Sequence, residues 1–136
     1  MIEVFKHTRV SISIVKMLVC KIWLISKTGR RDETFSVHRE TSTGLFKIIY
    51  CPCDLDSRPQ YTFRMTLSEI RNYIETLMDS LKIDKEPWNE IQVSPVTSPT
   101  ILYDLMDFDS SYDIIMETIE TALMTQVTMT LDTETH

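Results

Sequence analysis

At Thr66 the hydrophobic period of this chain changes from two to between three and four. Thr66-Leu67-Ser68-Glu69 is a capping box, in which the threonine hydroxyl accepts from the Glu69 amide and the Glu69 carboxylate reaches back to the Thr66 amide. Behind it Leu67, Ile70, Tyr73, Ile74, Leu77, Met78 and Leu81 recur at three- and four-residue spacing, which predicts an amphipathic helix over 67–82. Glu69, Arg71, Glu75 and Asp79 fall on its outer face and read as solvated charge.

Upstream of that switch the pattern is that of strands. Val10, Ile12 and Ile14 alternate with Ser11 and Ser13, and the apolar run continues to Ile25. That run is long for one regular strand, so a bend or bulge is expected near 15–17. A turn at Lys27-Thr28-Gly29-Arg30, a strand over 34–38, a turn over 40–44 and a third apolar run over 45–50 make an antiparallel meander. Residues 51–60, with Pro52 and Pro59, read as a loop, and Tyr61 to Arg64 as a short strand entering the helix.

Downstream, Ile91-Gln92-Val93 and Ile101-Leu102-Tyr103 are short strands expected to pair around the Pro95–Pro99 turn. A second helix is expected over about 111–124, with Ile114, Ile115, Ile119, Ala122 and Leu123 inward. Asp104, Asp107 and Asp109 lie ahead of it, where negative charge complements the helix dipole. After residue 124, Val127, Met129 and Leu131 alternate with threonines. Alternation predicts an extended arm over 126–131, added to a sheet edge, with Asp132 and Glu134 near basic residues. The expected architecture is α+β: a mostly antiparallel sheet with an N-terminal meander, packed by two amphipathic helices. It forms one domain over 1–124, followed by an acidic, Thr-rich arm over 125–136.

Composition narrows the function. A chain of 136 residues, 43% apolar and 25% charged, fits one soluble globular domain. Its two glycines, Gly29 and Gly44, are too few for the phosphate-cradling turns of nucleotide-binding folds. The net charge of −6 is unevenly divided. Up to Met65 there are 11 Lys/Arg against 6 Asp/Glu; from Thr66 onward there are 3 against 14. Such a division suits docking between surfaces of opposite sign.

No catalytic set stands out. Cys20, Cys51 and Cys53 form an odd set, best read as reduced, buried thiols rather than a disulfide framework. A zinc site from Cys20, His38, Cys51 and Cys53 has suitable ligand types, but a single CxC without a second close pair does not specify one. His38 lies on a strand with no partnered nucleophile, and the Asp104/Asp107/Asp109 group lacks the glycine and bidentate glutamate of a calcium loop. No enzyme activity and no cofactor are therefore expected. Lys16 and Lys21 interrupt the apolar run over 10–25, which argues against a signal peptide or a spanning helix. Lys27, Arg30 and Arg31 at a turn, with Arg9, Lys16 and Lys21 on strands, offer an interaction patch that could also contact phosphates.

The stretch from Tyr61 to Leu77 is followed by Leu81-Lys82-Ile83-Asp84-Lys85-Glu86-Pro87-Trp88 and then by Ile91-Gln92-Val93 and its prolines. It resembles small uncharacterised proteins of nucleocytoplasmic large DNA viruses, in which a strand enters a capped helix followed by an acidic Pro-aromatic turn. The resemblance implies a setting, a minor capsid or virion assembly component in the virion or host cytoplasm, rather than a mechanism. The expectation is a non-enzymatic structural or interaction protein whose partners are other proteins of a large assembly. In that reading Arg30, Arg31, Lys27, Val127, Met129 and Leu131 are the contact residues. The alternative is a cytoplasmic regulatory module that binds nucleic acid through the basic N-terminal strands.

Overall fold

A computed structural model of the chain describes residues 16–28, 32–52 and 60–135, with side chains through residue 128. The strands are β1 (Lys16–Ser26), β2 (Glu33–Glu40), β3 (Phe46–Cys51), β4 (Tyr61–Met65), β5 (Trp88–Pro95) and β6 (Ile101–Asp104). Helix α1 (Leu67–Ile83) separates β4 from β5, and a 3₁₀ turn (Leu105–Asp107) leads from β6 into α2 (Phe108–Thr135). The strands form one sheet in the order β4-β3-β2-β1-β5-β6, antiparallel throughout. The α+β architecture with an N-terminal meander is therefore the one expected. After α1 the chain returns to the free side of β1 and adds the β5–β6 hairpin there.

Burial follows strand parity. Cys20, Ile22 and Leu24 of β1, Phe35 and Val37 of β2, Phe46 and Ile48 of β3, and Ile91 and Val93 of β5 are all buried. They meet Ile70, Ile74, Met78 and Leu81 of α1 and Phe108, Ile115, Ile119 and Leu123 of α2 in one core. Both helices thus lie on the same side of the sheet. A bulge between Leu18 and Cys20, just beyond the predicted 15–17, shifts the parity of β1, so that the adjacent Val19 and Cys20 are both buried. The Val10–Ile14 alternation lies outside the described residues.

Local signals hold the ends of these elements. The capping box forms as predicted: Glu69 N–H donates to Thr66 Oγ1 at 3.2 Å, and Thr66 N–H donates to Glu69 Oε1 at 2.9 Å. Between β2 and β3, Gly44 adopts φ of 72°, which lets its N–H reach the Glu40 carbonyl at 3.0 Å. Asp32 closes the turn after β1, its Oδ1 accepting from both the amide and the hydroxyl of buried Ser26.

Three expectations are corrected. Residues 126–131 are helical, not an extended arm, because α2 runs unbroken to Thr135. The period-two pattern of Val127, Met129 and Leu131 competes with a longer stripe at helical spacing: Ile115, Ile119, Leu123 and Val127 recur every four residues, and Gln126 is buried beside them. Packing of that stripe on the core outweighs the β-propensity of the threonines. The helix also begins at Phe108 rather than 111, and because it packs on the Ile115, Ile119 and Leu123 stripe, Ile114 faces outward and is 52% exposed. Finally, the charged side of α1 is partly a seam between helices. Arg71 Nε donates to Glu120 at 3.0 Å, Tyr112 Oη donates to Asp79 at 2.6 Å, and Lys82 Nζ stands 3.5 Å over the Tyr112 ring.

Candidate interaction surface

The residues that alternate with the core set cover the opposite face of the sheet, and no described element lies over it. Strand register arranges them in rows. One row runs Arg64, Lys47, His38, Leu18 across β4, β3, β2 and β1. The next runs Thr62, Ile49, Ser36, Lys21, Ser94, and a third runs Cys51, Thr34, Trp23, Gln92, Leu102. Lys16 stands opposite Glu40 at one end, and Ile25, Glu90 and Asp104 form a row at the other. The face is therefore dipolar. Cations gather at the β2–β4 corner, carboxylates at the β5–β6 corner, and Leu18, Trp23, Ile25 and Ile49 lie half-buried between them.

Positive charge at that corner is only partly compensated. Glu40, whose side chain is 2% exposed, accepts from Arg64 Nε at 3.1 Å and from Thr43 Oγ1 at 3.3 Å. Desolvation, followed by repulsion from Lys16, Lys47 and Lys21, holds His38 below the usual histidine range. Lys47 is likewise lowered, first by a hydrogen bond with Lys16, then by desolvation and by repulsion from Lys16 and Arg64, against the opposing pull of Glu40. Two buried nitrogens of this face, His38 Nδ1 and Trp23 Nε1, have no hydrogen-bond partner among the described residues. An approaching anion offsets that repulsion and favours the charged imidazole.

The expected contact residues are distributed differently. Lys27 is exposed at the end of β1, where its N–H donates to the Pro87 carbonyl at 3.2 Å; Arg30 and Arg31 lie outside the described residues. Val127 packs against the core and is not a free contact residue, while Met129 and Leu131 lie on the helical end of α2. The conceivable zinc ligands are not brought together. Cys20 points into the core, where burial raises its thiol to about 12. His38 occupies the other face, and Cys51 lies at the far end of β3 from it; Cys53 is outside the described residues. Among the described residues no group of three or more His, Cys, Asp or Glu side chains is placed to hold a metal ion. Asp104 Oδ1 accepts from Met106 N–H at 2.8 Å, and Asp109 lies in the first turn of α2, so these carboxylates serve helix starts as predicted.

Lys47, Arg64 and Trp23 were not singled out by sequence as members of one surface. Their outward parity was present in the alternation of each strand, but the pairing register that aligns them links residues far apart in the chain. Among the described residues no helix is long and apolar enough to cross a membrane. Compared with known proteins, the chain matches no family model, no curated protein sequence and no solved structure.

Proposed function

We propose that this chain is a non-enzymatic interaction protein that docks an acidic protein segment on the sheet face over which no described element lies. The observation that carries the reading is the convergence of Lys16, Lys21, Lys47 and Arg64 around His38, beside half-buried Leu18, Trp23 and Ile49. Apolar surface flanked by unneutralised charge suits a protein partner, whose apolar side chains bury area while its carboxylates supply steering. Glu90 and Asp104 at the other corner favour such a partner over nucleic acid, because a phosphate backbone crossing the sheet would run onto them. The sequence resemblance supplies a setting for this role, a minor component of the capsid or virion of a large DNA virus.

The test compares a labelled acidic polypeptide with a single-stranded oligonucleotide of equal charge. The polypeptide is expected to bind more tightly, with affinity falling as salt rises and falling roughly tenfold in Lys47→Glu. Tighter binding of the oligonucleotide, with a steep salt slope, would select the nucleic-acid reading instead.

A further inference from the structure

The sheet ends on one side at β4, whose five residues pair with β3 in unbroken register and have no described strand on their other side. Proteins usually guard such an edge with proline, bulges or several charges, and β4 carries only Arg64. None of the five is buried, and Tyr61 and Phe63 are 47% and 43% exposed. They share a face of β4 with Met65, the side toward α1. On that side an open groove of about 520 Å³ lies along α1, lined by Asn72, Tyr73, Thr76, Leu77 and Ser80 of the helix and reaching β4 at Met65. The helix wall of this groove is uncharged apart from Glu69, whose carboxylate is held by the Thr66 amide at 2.9 Å.

A strand laid along β4 would send alternate side chains to the two faces of the sheet. One set would pass over Phe63 toward the groove at Met65 and Leu77, where apolar groups are wanted. The other would emerge next to Arg64, in line with Lys47 and near Lys16, where Glu40 is the acid within this corner. Charge complementarity therefore specifies carboxylates at those positions. We infer that the acidic partner of the proposed function includes an extended segment alternating apolar and acidic residues, added to β4 beside the basic corner with its apolar side chains toward the groove on α1. This inference rests on the docking role of the basic corner and adds the edge, the groove and the sequence pattern of the ligand.

The probe is a peptide of roughly six residues, the usual strand length, alternating valine with glutamate, together with the same peptide N-methylated at alternate amides in either register. The unmodified peptide is expected to bind the full chain and to slow hydrogen exchange at β4 amides. One of the two methylated registers should bind roughly tenfold more weakly, because it removes the donors facing β4 and introduces clashes there. Phe63→Lys should weaken binding of the unmodified peptide, and far-UV circular dichroism of this variant reports whether it has folded; Arg64→Glu provides a second, exposed substitution with the same expected loss. If all three peptides bind equally and Lys47→Glu still weakens them, strand addition is wrong while the basic docking corner stands. Failure of the unmodified peptide to bind overturns the inference, as does sedimentation showing that β4 is consumed by pairing with a second copy.

Discussion

Ile48 and Ile49 are adjacent in β3 and belong to different environments. Ile48 is fully buried in the core beneath the helices, whereas Ile49 lies half-buried on the opposite face, over which no described element lies, between Thr62 and Ser36. The same division runs through the whole sheet. One face gathers aliphatic and aromatic side chains against α1 and α2; the other mixes lysines, a histidine and a tryptophan with apolar residues. The difference teaches that parity alone divides this sheet into one face committed to the core and another of mixed charge and apolar surface, the face on which docking is proposed.

Truncation of neighbouring residues breaks that comparison most forcefully. Ile48→Ala should cost about 2–5 kcal/mol through lost burial and the cavity left behind, whereas Ile49→Ala should cost less than about 1 kcal/mol. Urea unfolding of the two variants measures both, and equal losses would mean that the second face is also sealed. Thr66→Ala should cost about 1 kcal/mol, because the Glu69 amide loses its acceptor at the start of α1. An unchanged thermal midpoint would remove the capping box from the account.

The pH dependence sharpens the electrostatic side. His38 has a lowered pKa in the folded state, so the unfolded chain takes up its proton first as pH falls. Its contribution to stability is therefore fully present above the unfolded value of about 6.5 and is lost as pH drops from there through the folded value. His38→Gln should flatten that part of the stability profile. An acidic ligand reverses the sign by favouring imidazolium, so its binding should strengthen on acidification from neutral pH to about 6. The smallest effect belongs to the helix seam: Arg71→Ala should change stability by no more than about 1 kcal/mol, since Arg71 and Glu120 are both substantially exposed.

The legible parts of this molecule were those with local physical causes. The capping box, the 3.6-residue stripe of α1, the β5–β6 pairing around its prolines and the meander all follow from short-range pattern. The end of α2 did not, because the alternation of Val127, Met129 and Leu131 is a local strand signal overruled by the packing of Ile119, Leu123 and Val127 at helical spacing. The basic corner was half legible. Lys16 and Lys21 stand out as strand cations, but nothing near Lys47 or Arg64 announces that register will set them in a row with His38. Cys20, His38 and Cys51 show the converse, since compatible ligand types in a short chain were carried apart by strand parity and by opposite ends of a ladder.

The chain's two tryptophans allow the most direct test of the docking face. Trp23 lies on that face with a buried indole nitrogen, unpartnered among the described residues, and Trp88 begins β5 near the end of α1. With both indoles labelled with fluorine and followed by NMR, titration with the acidic polypeptide of the face-docking test should shift the Trp23 signal and leave that of Trp88 unchanged, with the response abolished in Lys47→Glu. A shift confined to Trp88, or a Trp23 response that survives charge reversal at Lys47, would contradict docking on the basic face.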